Sequence, residues 1–153
     1  MTPIRPLAPS DLDAILAIAA ASPEAASWSR ADYEQFLNAA YSGACFVAEL
    51  EGSIAGFICF RVASDEAELL NLAVIPSARR RGVASLLFAE AIRQSLERGA
   101  RRLFLEVRDT NQPAIRFYER HGFRISARRP GYYAAPPADA LILARDMAVK
   151  PNS

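Results

Sequence analysis

Three apolar runs with a period of two, Ala44–Leu50, Ile54–Val62 and Glu66–Ile75, precede one long helical run from about Gly82 to Arg98 and a further strand pattern, Arg102–Val107. In a period-two run alternate side chains share a face, so each of the first three segments reads as a strand burying at least one side. Glu51-Gly-Ser53 reads as a hairpin turn between the first two, and Pro76 stops the third. The strand–helix–strand unit that follows is a β-α-β crossover. Hairpins first and one crossover in the middle imply a mixed sheet with helices on its faces, not a doubly wound parallel one.

The flanking segments extend this pattern. A short strand near Ile4–Leu7 opens the chain, and Ser10 is placed to cap a helix whose Leu12, Ile15, Leu16 and Ala19 share one face. A second helix starts at Ser29, with Asp32 at N3 and Trp28 and Tyr33 spaced as a hydrophobic staple. On the long helix the expected buried stripe is Ala84, Phe88, Ala91, Ile92 and Leu96, with Glu90, Arg93 and Glu97 outside, and Gly99 ends it. A helix from about Asn111 to His121, ended by Gly122, and strands near Phe123–Ser126 and Ala140–Met147 complete the order β-α-α-β-β-β-α-β-α-β-β. Ala134–Ala138 is the only Pro-rich spot and reads as a short loop. With no linker, repeat or low-complexity tract, residues 1–150 are expected to form one α/β domain of the α+β type, with a seven-stranded sheet.

Eighteen basic residues against seventeen acidic ones give a net charge of +1, so no global field points to nucleic acid or an anionic membrane. Cys45 and Cys59 lie in strand-like apolar surroundings outside any C-x-x-C pair and read as small buried hydrophobes in a reducing compartment. One His and two Cys are too few for a metal cluster, and His121 reads as a surface helix end. The N-terminus lacks the layout of a signal peptide and no apolar run approaches membrane-spanning length, so a cytoplasmic location is expected.

Arg79-Arg-Arg-Gly-Val-Ala84 joins a strand to the long helix. The first N–H groups of a helix are unpaired, point outward and carry the positive end of its dipole. Gly82 lets an anion approach the backbone closely, and three arginines add local charge. Taken alone, the turn reads first as a solvated basic cap on a surface helix. Neither G-x-x-x-x-G-K-[ST] nor G-x-G-x-x-G is present, so nucleoside-triphosphate and dinucleotide loops are excluded.

Four segments in order carry more than the turn alone: Leu69-Leu-Asn-Leu-Ala-Val-Ile-Pro76, Arg79–Ala84, Leu105-Glu-Val-Arg-Asp-Thr-Asn111 and Phe117-Tyr-Glu-Arg-His-Gly-Phe123. Together they resemble the GCN5-related N-acetyltransferase (GNAT) family over nearly the whole chain, and most closely its RimI-like branch of ribosomal-protein N-terminal acetyltransferases. The resemblance implies a mostly antiparallel seven-stranded sheet with a central β-α-β acetyl-CoA site. It places Leu72, Ala73 and Val74 along the pantetheine arm, with a bulge there freeing an N–H for the thioester oxygen. Arg79, Arg80, Arg81, Gly82, Val83 and Ala84 match the pyrophosphate turn, and Asn111 a cofactor contact. Glu106 matches the general base and Tyr118 the acid that protonates the departing thiolate.

Amine acetylation by a thioester needs a neutral amine, a stabilised oxyanion and a proton for sulfur. An α-amine with a reference pKa of about 8 asks little of its base, and a tyrosine at about 10 is a stronger acid than water. Direct attack in a ternary complex is therefore expected. Each residue also has a plain structural reading: Glu106 as a solvent-facing strand residue, Tyr118 as a core aromatic with a hydrogen-bonded hydroxyl, Asn111 as a helix cap.

For the acceptor, the resemblance points to Trp28 and to Tyr132 and Tyr133 in a loop before the last strand. The sequence departs from the branch at Ser27, where a proline is usual, and in the extra Pro130-Gly131 and Ala134–Ala138 stretch. The expected partners are acetyl-CoA and a protein or peptide N-terminus, acting as monomer or homodimer without nucleic acid, membrane or metal. A small amine or lysine side chain as acceptor, or an acetyl-CoA-binding module without catalysis, are the rival readings.

Overall fold

The alternation read from the three early runs becomes three adjacent antiparallel strands. In the computed structural model, which describes residues 2–22 and 25–147, β1 (Ile4–Pro6) is followed by α1 (Leu12–Ala20), α2 (Arg30–Glu34), β2 (Gly43–Leu50), β3 (Ser53–Ala63) and β4 (Glu66–Val74). Then come α3 (Val83–Glu97), β5 (Arg102–Arg108), α4 (Gln112–Arg120), β6 (Arg124–Ala134) and β7 (Pro137–Asp146). The last positions of the expected 1–150 domain, and Met1, lie outside the described residues. The β2–β3 turn has Glu51 at φ 54° and Gly52 at φ 81°, the pair of positive values that a two-residue hairpin needs.

Seven strands form one sheet in the order β1-β2-β3-β4-β5-β7-β6, with only β4 and β5 parallel. Helices cover both faces. Phe46, Ile58, Phe60, Leu69, Leu103, Leu105 and Leu143 share a core with Leu87 and Phe88 of α3 and Ile115 of α4. On the other face Val47, Phe57, Cys59 and Ala73 meet Leu12, Ile15 and Tyr33 from the first two helices. Cys45 and Cys59 are buried and face each other across β2 and β3, as their apolar surroundings predict.

Several local readings hold and others shift. Ser29 Oγ accepts from the Asp32 N–H at 3.3 Å, Asp32 accepts from the Ser29 N–H at 2.7 Å, and the Trp28 and Tyr33 rings lie 5.1 Å apart. Ser10 does not cap α1. Residues Pro9–Asp11 form a 3-10 turn, and Asp11 accepts the Ala8 N–H at 2.8 Å while Arg5 clamps it at 2.7 and 2.9 Å. A longer carboxylate able to reach an arginine displaces the serine, and that pairing holds Asp11 below the usual carboxylate range. On α3 the buried stripe is Val83, Leu87, Phe88, Ala91 and Ser95, with the expected Ala84, Ile92 and Leu96 flanking it half-buried. The helix lies across β2, β3 and β4, so it buries a wider band than one row.

The largest correction is at the end of the chain. The strand expected to stop near Ser126 runs to Ala134, so Tyr132 and Tyr133 lie in a strand, and the expected Ala134–Ala138 loop shrinks to a turn at Ala135-Pro136. As the edge of the sheet, β6 is exposed along almost all its length, so no apolar alternation marks it. Its antiparallel pairing with β7 holds it, and Arg128 adds ion pairs to Asp109 at 3.1 Å and Asp139 at 2.7 Å, with Asp139 accepting the Gly131 N–H at 2.8 Å.

Candidate active site

The parallel strands β4 and β5 pair only at Glu66↔Arg102, Ala67↔Leu103 and Glu68↔Phe104. Beyond that point Leu69–Val74 and Leu105–Arg108 do not pair with each other, which leaves a slot in the middle of the sheet flanked by two backbone edges. A bulge in β4 begins the divergence. Cys59 faces Asn71 and Phe60 faces Leu69, so Leu70 is the extra residue. The bulge lies just before Leu72–Val74, not within it. One added residue reverses the alternation, turning Asn71 and Ala73 toward α1 and α2. Because the Ile75 N–H donates to the Ala55 carbonyl at 2.8 Å, antiparallel alternation turns the Val74 N–H to the slot side, while the Leu72 N–H is taken by the Asn71 side chain at 3.0 Å.

Asn71 is buried and hydrogen-bonded through both ends of its amide. Its Oδ1 accepts from Leu72 N–H at 3.0 Å and Ala26 N–H at 3.3 Å, and its Nδ2 donates to Tyr33 Oη at 3.1 Å. It ties β4 to the segment before α2. The sequence reading did not single it out, although a lone amide inside Leu69–Val74 is the signal that marks it.

Below the slot, the turn before α3 has Arg80 at φ 67° and Gly82 at φ 79°. Gly82 caps α3 in a left-handed conformation that suits glycine, and open space surrounds the place where its side chain would be. The first helical bond, Leu86 N–H to the Gly82 carbonyl, spans 3.0 Å, so the N–H groups of Val83, Ala84 and Ser85 have no acceptor within the helix. Arg79, Arg80 and Arg81 are exposed, and none joins an ion pair among the described residues. Free donors, a helix dipole and three uncommitted guanidiniums fit a diphosphate. Asn111 caps α4 by accepting from the Ala114 N–H at 3.3 Å, the structural half of its two readings.

Tyr118 and Glu106 flank the slot on opposite faces. Tyr118 is half-buried on α4, with Phe117, Phe123 and Phe88 centroids 5.3, 5.5 and 6.4 Å away. Its hydroxyl makes no hydrogen bond among the described residues, unlike the satisfied core tyrosine of its plain reading. Burial pushes its pKa up, keeping the hydroxyl protonated. His121 caps the same helix end as expected, but its ring also stacks at 4.3 Å on Phe117 and reaches Ser85 of α3 at 3.4 Å.

Leu105 and Val107 are buried on the α3–α4 face, so Glu106 points to the other. Its carboxylate is 3.3 Å from Arg129 and lines a cavity of about 320 Å³ with Arg61, Glu66, Glu68 and Phe104. Above it, Arg108 lies 4.2 Å over the Tyr133 ring and donates to the carbonyls of Pro136 at 2.8 Å and Ala135 at 3.4 Å. Tyr132 is 51% exposed and stands edge-on at 5.1 Å to Tyr133, which is half-buried. Burial raises the Tyr133 pKa, with the Glu106 charge adding to the effect. Trp28 is half-buried, stacked on Phe36 at 5.8 Å. Sequence alone assigns Arg108 and Arg129 no role of their own, although Arg129 lies in the stretch before the last strand, because Glu106 and the β6–β7 turn that they reach lie 20 or more residues away. Among the described residues no group of three or more His, Cys, Asp or Glu is placed to hold a metal, and no helix is long and apolar enough to cross a membrane.

The family model described as acetyltransferase (GNAT) family matches residues 12–123. The ribosomal protein bS18-alanine N-acetyltransferase of Escherichia coli strain K12 is 36% identical over 113 residues, 72% of each chain. The crystal structure of the Escherichia coli ribosomal-protein alanine N-acetyltransferase superposes with a TM-score of 0.83 at 31% identity, covering 100% of this chain and 99% of that one. Ard1 from Thermoplasma volcanium superposes with a TM-score of 0.86 at 31% identity, covering 97% and 99%.

Proposed function

The chain belongs to the GNAT acetyltransferase family and is an acetyl-CoA-dependent N-acetyltransferase; from that premise we propose that its acceptor is the α-amine of a protein N-terminus, an alanine of a ribosomal protein first among them. The observation that carries the reading is the slot between β4 and β5, with Glu106 on one face and the unbonded Tyr118 hydroxyl on the other. Acetyl-CoA supplies the activated acetyl group. Val83, Ala84 and the three arginines are suited to its diphosphate, and the slot-facing edge of Leu72–Val74 to its pantetheine arm. Asn111, with its side chain capping α4, is assigned to the cofactor through its place at that helix start.

Glu106 takes the proton that the α-ammonium must lose. Tyr118, held protonated by burial, gives one to the leaving sulfur from the opposite face. The Val74 N–H faces the slot and has no strand partner there, so it suits the oxygen on which charge develops. Tyr132 and Tyr133 wall the entry above Glu106, with Trp28 on the side of the first helices. The intracellular compartment of ribosomal proteins is the matching location.

A panel of peptides identical except for a free or blocked α-amine, read by CoA release, tests the assignment. Free-amine peptides beginning with alanine should turn over and blocked ones should not. Acetylation of blocked peptides at lysine, or of small amines in preference, would replace this acceptor with another.

A further inference from the structure

Among the described residues Glu106 has one charged partner, and it is not a neighbour in sequence. Arg129 approaches from the edge strand β6 to 3.3 Å, without the directed geometry of a hydrogen bond. Both side chains are partly open, at 56% for Arg129 and 26% for Glu106. Exposed pairs of this kind are weak. The guanidinium also leans over the Tyr132 ring at 5.5 Å, a second resting place on the wall of the same entry. Glu66 lines the same cavity and joins no ion pair among the described residues, so a guanidinium leaving Glu106 still has a carboxylate within that cavity.

We infer that Arg129 is a positioning residue that stands in for the acceptor's ammonium, neutralising Glu106 in the free enzyme and yielding its place when a cationic amine enters. Because cation replaces cation, the Glu106 carboxylate is never left unpaired beside Phe104, and an uncharged end cannot make the exchange. The exchange therefore costs the acceptor part of its affinity, because its ammonium must displace a cation already held at Glu106. This inference rests on the reading of Glu106 as the base.

The test is calorimetric binding of two peptides to the CoA-loaded enzyme, one with a free N-terminal alanine and the same peptide N-acetylated. Removing the competitor in Arg129→Gln should tighten the free-amine peptide up to about fivefold, the range of a weak exposed pair. The acetylated peptide should bind as before. Arg129→Lys, which restores a cation, should return the free-amine affinity toward that of the wild type, and Arg124→Gln on the same strand serves as the neutral control. Equal tightening of both peptides would mean that Arg129 is only a steric obstacle. Unchanged or weaker binding of the free-amine peptide in Arg129→Gln would overturn the exchange. If the wild type acetylates no free α-amine peptide, the acceptor reading fails by itself; the exchange is then judged with the amine the enzyme does acetylate.

Discussion

On the donor side of the slot, the parts are set by backbone conformation and helix ends: a left-handed glycine at 82, unpaired N–H groups opening α3, and Tyr118 fixed by aromatic packing. On the acceptor side they are set by side chains reaching across the fold. Arg108 holds Tyr133 and the β6–β7 turn, Arg128 joins β6 to β7 and the β5–α4 loop, and Arg129 meets Glu106. Local conformation leaves a mark on a few consecutive residues. A long-range ion pair leaves none. The contrast predicts that donor-side changes move chemistry or cofactor affinity, whereas acceptor-side changes move only the acceptor.

The strongest break in that contrast is expected at Tyr118. Tyr118→Phe keeps the aromatic packing and deletes a proton donor, so single-turnover acetylation should fall by about a hundredfold or more while acetyl-CoA affinity stays within twofold. An unchanged rate with chemistry limiting would remove Tyr118 from the acid role. A smaller effect is expected at the turn. Gly82→Asp sets a negative charge at the helix N-terminus and should weaken acetyl-CoA about tenfold by titration calorimetry. Gly82→Ala tests conformation alone: the φ of 79° should lower stability by about 1 kcal/mol with little change in cofactor affinity. Equal cofactor affinity in Gly82→Asp would mean that the diphosphate sits elsewhere.

On the opposite side, Arg108→Ala removes the stack on Tyr133 and both hydrogen bonds to the β6–β7 turn. The acceptor KM should rise about fivefold, with acetyl-CoA affinity unmoved. A matching loss of acetyl-CoA affinity would show that the two sides are one unit, and the contrast would fail.

The sequence made the donor side legible for the same reason. The order of elements along the chain, the hairpin at 51–52 and the helix starts at 29 and 82 follow from period, glycine and capping chemistry within a few residues. The bulge at Leu70 was misplaced because an extra residue in an apolar run changes no residue type, only the register against Cys59 and Phe60. β6 is cut short for a different reason: an exposed edge strand rich in arginine has the composition of a loop, and its pairing with β7, which makes it a strand, leaves no local pattern. Arg5 with Asp11 repeats the lesson, since a residue six positions away decides how α1 begins.

One residue belongs to both sides. Asn71 sits at the bulge that opens the slot, yet its amide holds the Ala26 backbone and the Tyr33 hydroxyl on the acceptor side. Tyr33→Phe is the mildest probe of that link, since it removes one hydroxyl from a ring with no exposed surface. The Asn71 Nδ2 group then loses its hydrogen-bond acceptor in a buried site, which costs about 1–2 kcal/mol and lowers Tm by a few degrees at this chain length. If the two sides are independent, catalysis in this variant should match the wild type below its Tm, with acetyl-CoA affinity and acceptor KM both unchanged. If the Asn71 amide turns once Tyr33 no longer holds it, Oδ1 leaves the Leu72 and Ala26 N–H groups together. Donor affinity and acceptor KM would then shift in parallel, making Asn71 the joint through which β4 and the acceptor segment move as one.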